Sequence, residues 1–203
     1  MKKLWLALFL INAVLPSPAQ AVGFWFQGGT GYSLPKVTGV TDTFGSALGW
    51  GGGVTLVFPF KSRYAFELGA EYFAHQWTQT SAGTKYDISA PFFPVLAGLR
   101  ISLGRVFELR GGAYYSWVAG KVLTSTSGDA GAGSSSEYGL KTKDYGGYAG
   151  VGLEVPVKRA TLTFGANYFL GIPNLAVDSS AGAVFKLSEV QAMIGLRFGT
   201  KKK

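Results

Sequence analysis

The chain has 203 residues, about the length of one domain. Only 15% of them are charged, 15% are aromatic and 30 are glycine, whereas an average soluble domain is roughly 25% charged. The formal net charge is +8 and cysteine is absent. The composition therefore excludes a disulfide framework, a thiolate metal site and a lipid anchor on an N-terminal cysteine.

The N-terminus has the pattern of a secretory signal peptide. Lys2 and Lys3 precede a mostly apolar run over residues 4–15, and Ala19-Gln20-Ala21 supplies the small residues that a signal peptidase needs. Twelve residues are fewer than the ~20 that a membrane-spanning helix requires. The predicted organisation is a cleaved signal peptide at 1–21, a single β-barrel domain at 22–198 and a basic tail at 199–203.

The mature chain stays basic. Without Lys2 and Lys3, 17 basic residues face 11 acidic ones, a net charge of +6. The basic residues near predicted turns or strand ends are Lys61, Arg63, Arg105, Lys158, Arg159 and Lys186, and the tail adds Lys201, Lys202 and Lys203. Because the chain is exported, nucleic acid is not an expected partner. Outer-membrane lipid and lipopolysaccharide are the expected anionic neighbours.

After the signal peptide, apolar residues alternate with polar ones and form no long run. Only helices and closed barrels satisfy every backbone polar group in a bilayer, so a membrane protein with this pattern is a barrel. Eight alternating segments have the length of tilted spanning strands. They cover 22–33, 47–58, 63–77, 88–103, 106–120, 145–156, 160–171 and 184–198.

The connections alternate between short and long. Short ones surround residues 59–62, 104–105 and 156–159, and long ones cover 34–46, 78–87, 121–144 and 172–183. This alternation is typical of short periplasmic turns and long extracellular loops. In the hairpin over 98–117, Arg100 and Glu108 share a face only across an odd-length connection, so we expect a three-residue turn or a bulge near Gly104.

The two faces of the strands differ in charge. The central parts of the apolar faces carry no charge, as lipid contact requires, because Lys or Arg there costs roughly 2–4 kcal/mol. An eight-stranded barrel has an interior that side chains can fill. We expect a polar network inside it, formed by Glu67, Glu71, Arg100, Glu108, Arg110, Glu154, Glu189 and Arg197.

Outward aromatic residues cluster at both ends of the strands, as they do at the two membrane interfaces. The predicted girdles contain Tyr72, Tyr115, Trp117 and Tyr168 on the loop side, and Phe58, Phe107 and Phe198 on the turn side. A soluble lipocalin-like barrel is the alternative, but its faces would be inverted relative to these charges.

With its signal peptide, four hairpins and the repeated Gly-Leu-Arg of residues 98–100 and 195–197, the chain resembles the small outer-membrane β-barrels. This family includes opacity proteins, outer membrane protein X and the membrane domain of outer membrane protein A. The resemblance implies an eight-stranded antiparallel up-and-down transmembrane barrel in the outer membrane of a Gram-negative-type bacterium. It also implies periplasmic chaperones and the barrel-assembly machinery as partners, with Ala192, Ile194, Leu196 and Phe198 as the terminal-strand signal.

No catalytic constellation is evident. The single histidine, His75, precedes Gln76 and Trp77, which is not the His-x-Ser pair of outer-membrane lipid A deacylases. Glutamates flanked by arginines indicate a structural network more than paired acid and base catalysts. No cofactor motif or calcium-loop spacing is present, and the chain is predicted not to be an enzyme.

Three functions remain open from the sequence. The leading hypothesis is a barrel with a closed polar lumen that acts in surface interaction, adhesion or envelope integrity through its loops, with a possible extracellular ligand. The alternative is a narrow channel for ions or small hydrophobic molecules, and a weaker one is a lipid-modifying enzyme that uses His75. The Ser/Gly-rich segment 124–136, within the loop at 121–144, is either a tolerated insertion or a binding epitope.

Overall fold

The computed structural model describes residues 22–126, 130–133, 141–176 and 183–199, in which there are eleven strands. The predicted signal peptide, residues 200–203 of the basic tail and parts of the loop at 121–144 lie outside the described residues. No helix among the described residues is long and apolar enough to cross a bilayer. The strands are β1 (Gly23–Thr38), β2 (Thr43–Ser46), β3 (Leu48–Pro59), β4 (Tyr64–Ser81), β5 (Thr84–Leu103), β6 (Phe107–Val118), β7 (Val122–Ser125), β8 (Ala130–Gly133), β9 (Lys143–Val157), β10 (Ala160–Gly171) and β11 (Val184–Phe198).

Eight of these strands close into a ring. β1, β3, β4, β5, β6, β9, β10 and β11 each pair with the next in antiparallel fashion, and β1 pairs with β11 from Phe24–Phe198 to Thr38–Val184. Closure leaves the ring without a free sheet edge, as a strand barrel in lipid requires. The predicted all-β, eight-stranded up-and-down barrel is confirmed.

The register of β5 and β6 keeps the charged residues on one face. Leu103 lies opposite Phe107 and Arg100 opposite Arg110, so residues 104–106 form the three-residue turn expected from parity. Gly104 begins the turn at φ 73°, in the left-handed region that favours glycine.

The long loop predicted at 78–87 is wrong. β4 continues to Ser81 and β5 begins at Thr84, so Ala82 and Gly83 alone connect them. Both have positive φ, 48° and 81°, as a two-residue turn matched to the twist of a hairpin requires. This segment is almost entirely polar, so it lacks the apolar alternation that indicates the other strands.

Beyond the barrel rim this hairpin extends the barrel sheet, and three short strands join it there. β2 pairs with β4, β7 pairs with β5, and β8 pairs with β7. The predicted loops at 34–46 and 121–144 therefore contain strands as well. We call β2, β7, β8 and the outer parts of β4 and β5 the extracellular sheet.

The barrel faces are the reverse of those in a soluble protein. Outward residues such as Leu99 and Val151 are 54% and 56% exposed, whereas the inward Glu67 and Arg100 are each only 2% exposed. Apolar exterior and charged interior are what a strand barrel in lipid requires.

Candidate functional site

An ion-pair cluster closes the turn-side half of the lumen. The Arg100 guanidinium of β5 donates to the carboxylates of Glu108 on β6 and Glu154 on β9. Arg197 on β11 also donates to Glu154, and its Nη1 lies 3.9 Å from Glu108 Oε2. All four side chains are buried, so their charges are compensated within the cluster and not by bulk water.

Trp25 lies inside the barrel between two arginines. The guanidinium carbons of Arg100 and Arg110 lie 5.2 and 4.4 Å from the centre of its ring. Its Nε1 donates to Thr163 Oγ1 at 2.8 Å. Sequence reasoning missed Trp25, although it alternates with the outward Phe24 and Phe26 and therefore shares the inward face.

A second polar layer lies above this one. Tyr148 Oη donates to Glu67 Oε1 at 2.5 Å, and Gln27 donates to Glu71. Arg110 Nε donates to Asn167 Oδ1 at 2.8 Å. A cavity of about 10 Å³ between these residues has room for about one water molecule, so side chains fill this part of the lumen.

His75 marks the transition to the loop-side end. Its Nδ1 lies 2.9 Å from Glu189 Oε2, and its ring packs against Phe73 and Phe92 with centroids 5.7 and 4.9 Å away. The candidate catalytic histidine is thus enclosed by a carboxylate and two aromatic rings.

The loop-side end of the lumen is apolar, so the predicted polar lumen is wrong for this part of the barrel. Inward residues of β4, β5, β7 and β11 pack on one another and on the segment after β10. Val122 and Leu175 of this group lie in segments that the sequence predicted to be loops. We call this group the apolar plug: Trp77, Ile88, Ala90, Phe92, Val122, Leu175, Phe185 and Leu187.

The eight residues proposed for the polar network are all buried inside the barrel, but they do not form one cluster. Arg100, Glu108, Glu154 and Arg197 meet in the turn-side cluster. Glu67, Glu71 and Arg110 belong to the second layer, and Glu189 pairs with His75.

The aromatic residues proposed for the girdles all point outward: Phe58, Tyr72, Phe107, Tyr115, Trp117, Tyr168 and Phe198.

Solved structures with a similar fold come from outer membranes. The outer membrane protein OprG from Pseudomonas aeruginosa superposes with a TM-score of 0.53 at 18% identity, over 89% of this chain and 96% of that one. Neisserial surface protein A gives a TM-score of 0.50 at 12% identity, over 86% of this chain and 96% of that one. The chain has the fold of the small outer-membrane β-barrels. That fold, with an apolar exterior around a charged interior, is the fold of a protein that spans an outer membrane, as the sequence predicted.

No protein-family model matches the sequence, and no curated protein matches it either. At these identities the two structures establish the fold alone. The function therefore has to be argued from the lumen and from the two ends of this barrel.

The loop-side segments carry six lysines and six acidic residues in the sequence, so this end has no net charge. The acidic residues are Asp42, Asp87, Asp129, Glu137, Asp144 and Asp178. Among those that the structure describes, Asp144 is buried and Asp42 accepts a hydrogen bond from Gln79 at 2.6 Å. Lys36 on β1 lies directly opposite Lys186 on β11, and both alternate with inward neighbours. The two lysines therefore lie directly opposite each other on the outward face, and like charges at opposed positions destabilise a sheet when no anion lies between them. The lysines are Lys36, Lys85, Lys121, Lys141, Lys143 and Lys186.

Proposed function

We propose that this protein is a non-conducting, non-enzymatic barrel that binds anionic polymers at the cell surface through its extracellular end. The observation that carries this proposal is the Lys36–Lys186 pair, two like charges held in register on neighbouring strands. A phosphate or sulfate group between them offsets their repulsion, and Lys is a common ligand for such anions.

A filled lumen supports the non-conducting role. The turn-side ion cluster, the Glu67–Tyr148 layer and the apolar plug follow one another along the barrel. An ion that crossed them would have to break buried ion pairs and then enter apolar packing, and each step costs several kcal/mol.

The extracellular sheet supports a binding role. It rests on the apolar plug, since Trp77 and Ile88 of its hairpin are 2% and 5% exposed. A packed sheet holds surface side chains in fixed positions, so less conformational entropy is lost when they bind a partner.

Dextran sulfate and neutral dextran are suitable probes, tested against the mature barrel in lipid nanodiscs. We expect K36Q/K186Q to weaken dextran sulfate binding by about fivefold or more, which corresponds to about 1 kcal/mol. The control K85Q/K121Q removes the same charge from separate positions and is expected to weaken it about twofold or less. Equal losses in the two variants, or equal binding of neutral dextran, would overturn the proposal.

A second candidate function is lateral passage of small apolar molecules, and one observation favours it. Pairing of β4 with β5 runs from Tyr64–Ile101 to Ala70–Val95 and resumes only at Phe73–Phe92. Pro94 lies in this gap and has no N–H to donate. The gap lies beside Phe92, a member of the apolar plug.

Because the chain has no cysteine, this route can be locked. Tyr72→Cys and Phe93→Cys place two thiols across the gap, and a disulfide between them closes it. If the route operates, oxidation stops the uptake of an apolar dye by barrel-containing vesicles and reduction restores it. Uptake that is the same in both states excludes the route.

A further inference from the structure

The opposite end of the barrel carries a different charge pattern. The three short turns at 60–63, 104–106 and 158–159 contain five exposed basic side chains and neither Asp nor Glu. We call these five residues the turn ring: Lys61, Arg63, Arg105, Lys158 and Arg159. The proposed function, which concerns the loop-side end, leaves the ring unexplained.

Each turn holds its charges beside the apolar exterior. Lys61 follows Phe60, Arg105 precedes Val106, and both of these apolar neighbours are 43% exposed. Lys158 follows Val157, which is 47% exposed. An apolar residue in lipid therefore adjoins a cation in the chain, so the cations lie at the depth of lipid headgroups.

Backbone hydrogen bonds hold the turns in place and next to one another. Tyr64 N donates to Lys61 O at 3.2 Å within the first turn. Ser102 N donates to Arg63 O at 2.8 Å, and Glu154 N donates to Val106 O at 2.6 Å, so the first two turns contact the neighbouring strands. The five cations therefore lie on three turns at the same end of the barrel.

We propose that the turn ring binds the phosphates of anionic phospholipids in the periplasmic leaflet of the outer membrane. Guanidinium groups match phosphate oxygens with two parallel hydrogen bonds, and an ammonium supplies a compact charge. A Lys or Arg close to an anionic lipid surface is stabilised enough to give a severalfold preference for anionic over neutral lipid. The turns are two to four residues long, too short to extend the ring from the headgroups towards the cell wall.

The test uses the mature barrel with one reporter at the ring. Ser62→Cys adds a single thiol at the turn because the chain has no other, and a fluorophore is attached there. The barrel is reconstituted into phosphatidylcholine vesicles with a small fraction of nitroxide-labelled phosphatidylglycerol or nitroxide-labelled phosphatidylcholine. With the nitroxide near the headgroup, quenching requires near-contact, so it reports which lipid occupies the first shell at this end.

We expect phosphatidylglycerol to quench several times more than phosphatidylcholine at low salt, and the difference to vanish in 1 M salt, where charges are screened within about 3 Å. Two variants with equal charge loss separate the ends of the barrel. The turn-ring variant is K61Q/R63Q/R105Q/K158Q/R159Q, and the control is K36Q/K85Q/K121Q/K141Q/K143Q.

The turn-ring variant is expected to lose the preference for phosphatidylglycerol and the control to keep it. Equal quenching by both lipids in the unmodified barrel would overturn the proposal, and so would a preference that survives in the turn-ring variant. Co-sedimentation with purified peptidoglycan that depends on the ring, without any lipid preference, would assign the ring to the cell wall instead. All ten positions are exposed, and a heat-dependent shift in gel mobility verifies that each variant is folded.

Discussion

The guanidinium carbon of Arg110 lies 4.4 Å from the centre of the Trp25 ring, and that of Arg100 approaches the same ring to 5.2 Å. Arg100 belongs to the turn-side ion cluster and Arg110 to the layer above it. Trp25 therefore contacts both polar layers. A buried aromatic ring between two cations stabilises the fold in three ways: by packing, by the hydrogen bond of its N–H and by cation–π attraction.

Replacement of Trp25 by Phe tests this link. The variant keeps a ring but loses the 2.8 Å hydrogen bond to Thr163 and part of the cation–π attraction. We expect the free energy of unfolding to fall by about 1–3 kcal/mol, measured by urea unfolding in lipid vesicles. The matched control is Trp50→Phe, whose side chain is outward and 59% exposed. Equal effects at the two sites would contradict an internal role for Trp25.

Removal of one arginine from the ion cluster is expected to be costly. Arg100→Met keeps much of the side-chain volume but leaves Glu108 without its closest cation and deprives Glu154 of one of two. We predict a loss of about 3–5 kcal/mol in the free energy of unfolding. The same replacement at the exposed turn residue Arg105 is expected to change it by less than about 0.5 kcal/mol. A neutral Arg100→Met variant would mean that the cluster does not stabilise the fold.

Two adjacent glycines test the inward and outward assignment directly. A methyl group at Gly146 would meet the carbonyl oxygen of Leu170 and the ring of Tyr114. At Gly147 the nearest atom, Gly112 O, is 3.6 Å away, an ordinary contact. We expect Gly146→Ala to cost about 1–3 kcal/mol in unfolding free energy and Gly147→Ala to be neutral or slightly stabilising. The opposite order would mean that β9 faces the other way.

Two lysine substitutions at different depths on one strand test whether the outward face contacts lipid. Leu99 and Leu103 both point outward from β5, but Leu103 ends the strand at the turn. Leu99→Lys is expected to destabilise the folded barrel by about 2–4 kcal/mol, and Leu103→Lys by about 0–1 kcal/mol. Similar small costs at both positions, measured by reversible unfolding in vesicles, would argue against a bilayer around this wall.

Alternation along the chain predicted which way most side chains point, because strand geometry has a period of two. The inward position of Arg100 and the outward position of Phe107 follow from this rule, as does the three-residue turn between them. Alternation does not specify height along the barrel, which depends on strand tilt and stagger. For this reason the sequence did not separate Glu189, which pairs with His75, from the turn-side cluster.

The extracellular end was the least predictable part. Residues 78–87 are polar, so their strands lack the apolar signal used to find the others, and only their pairing across Ala82 and Gly83 reveals them. The apolar plug depends on the covering sheet and on Leu175, which follows β10 outside any predicted strand. Such contacts between distant segments leave no local pattern in the sequence.

The central claim is that side chains close the lumen, and single-channel recording of the refolded mature barrel in a planar bilayer tests it most directly. We predict no steady conductance in 1 M KCl, because the Arg100–Glu154 cluster and the apolar plug both block the path. Discrete, reproducible current steps that change in size when Arg100 is replaced by Ala would contradict the account and make the lumen a pathway.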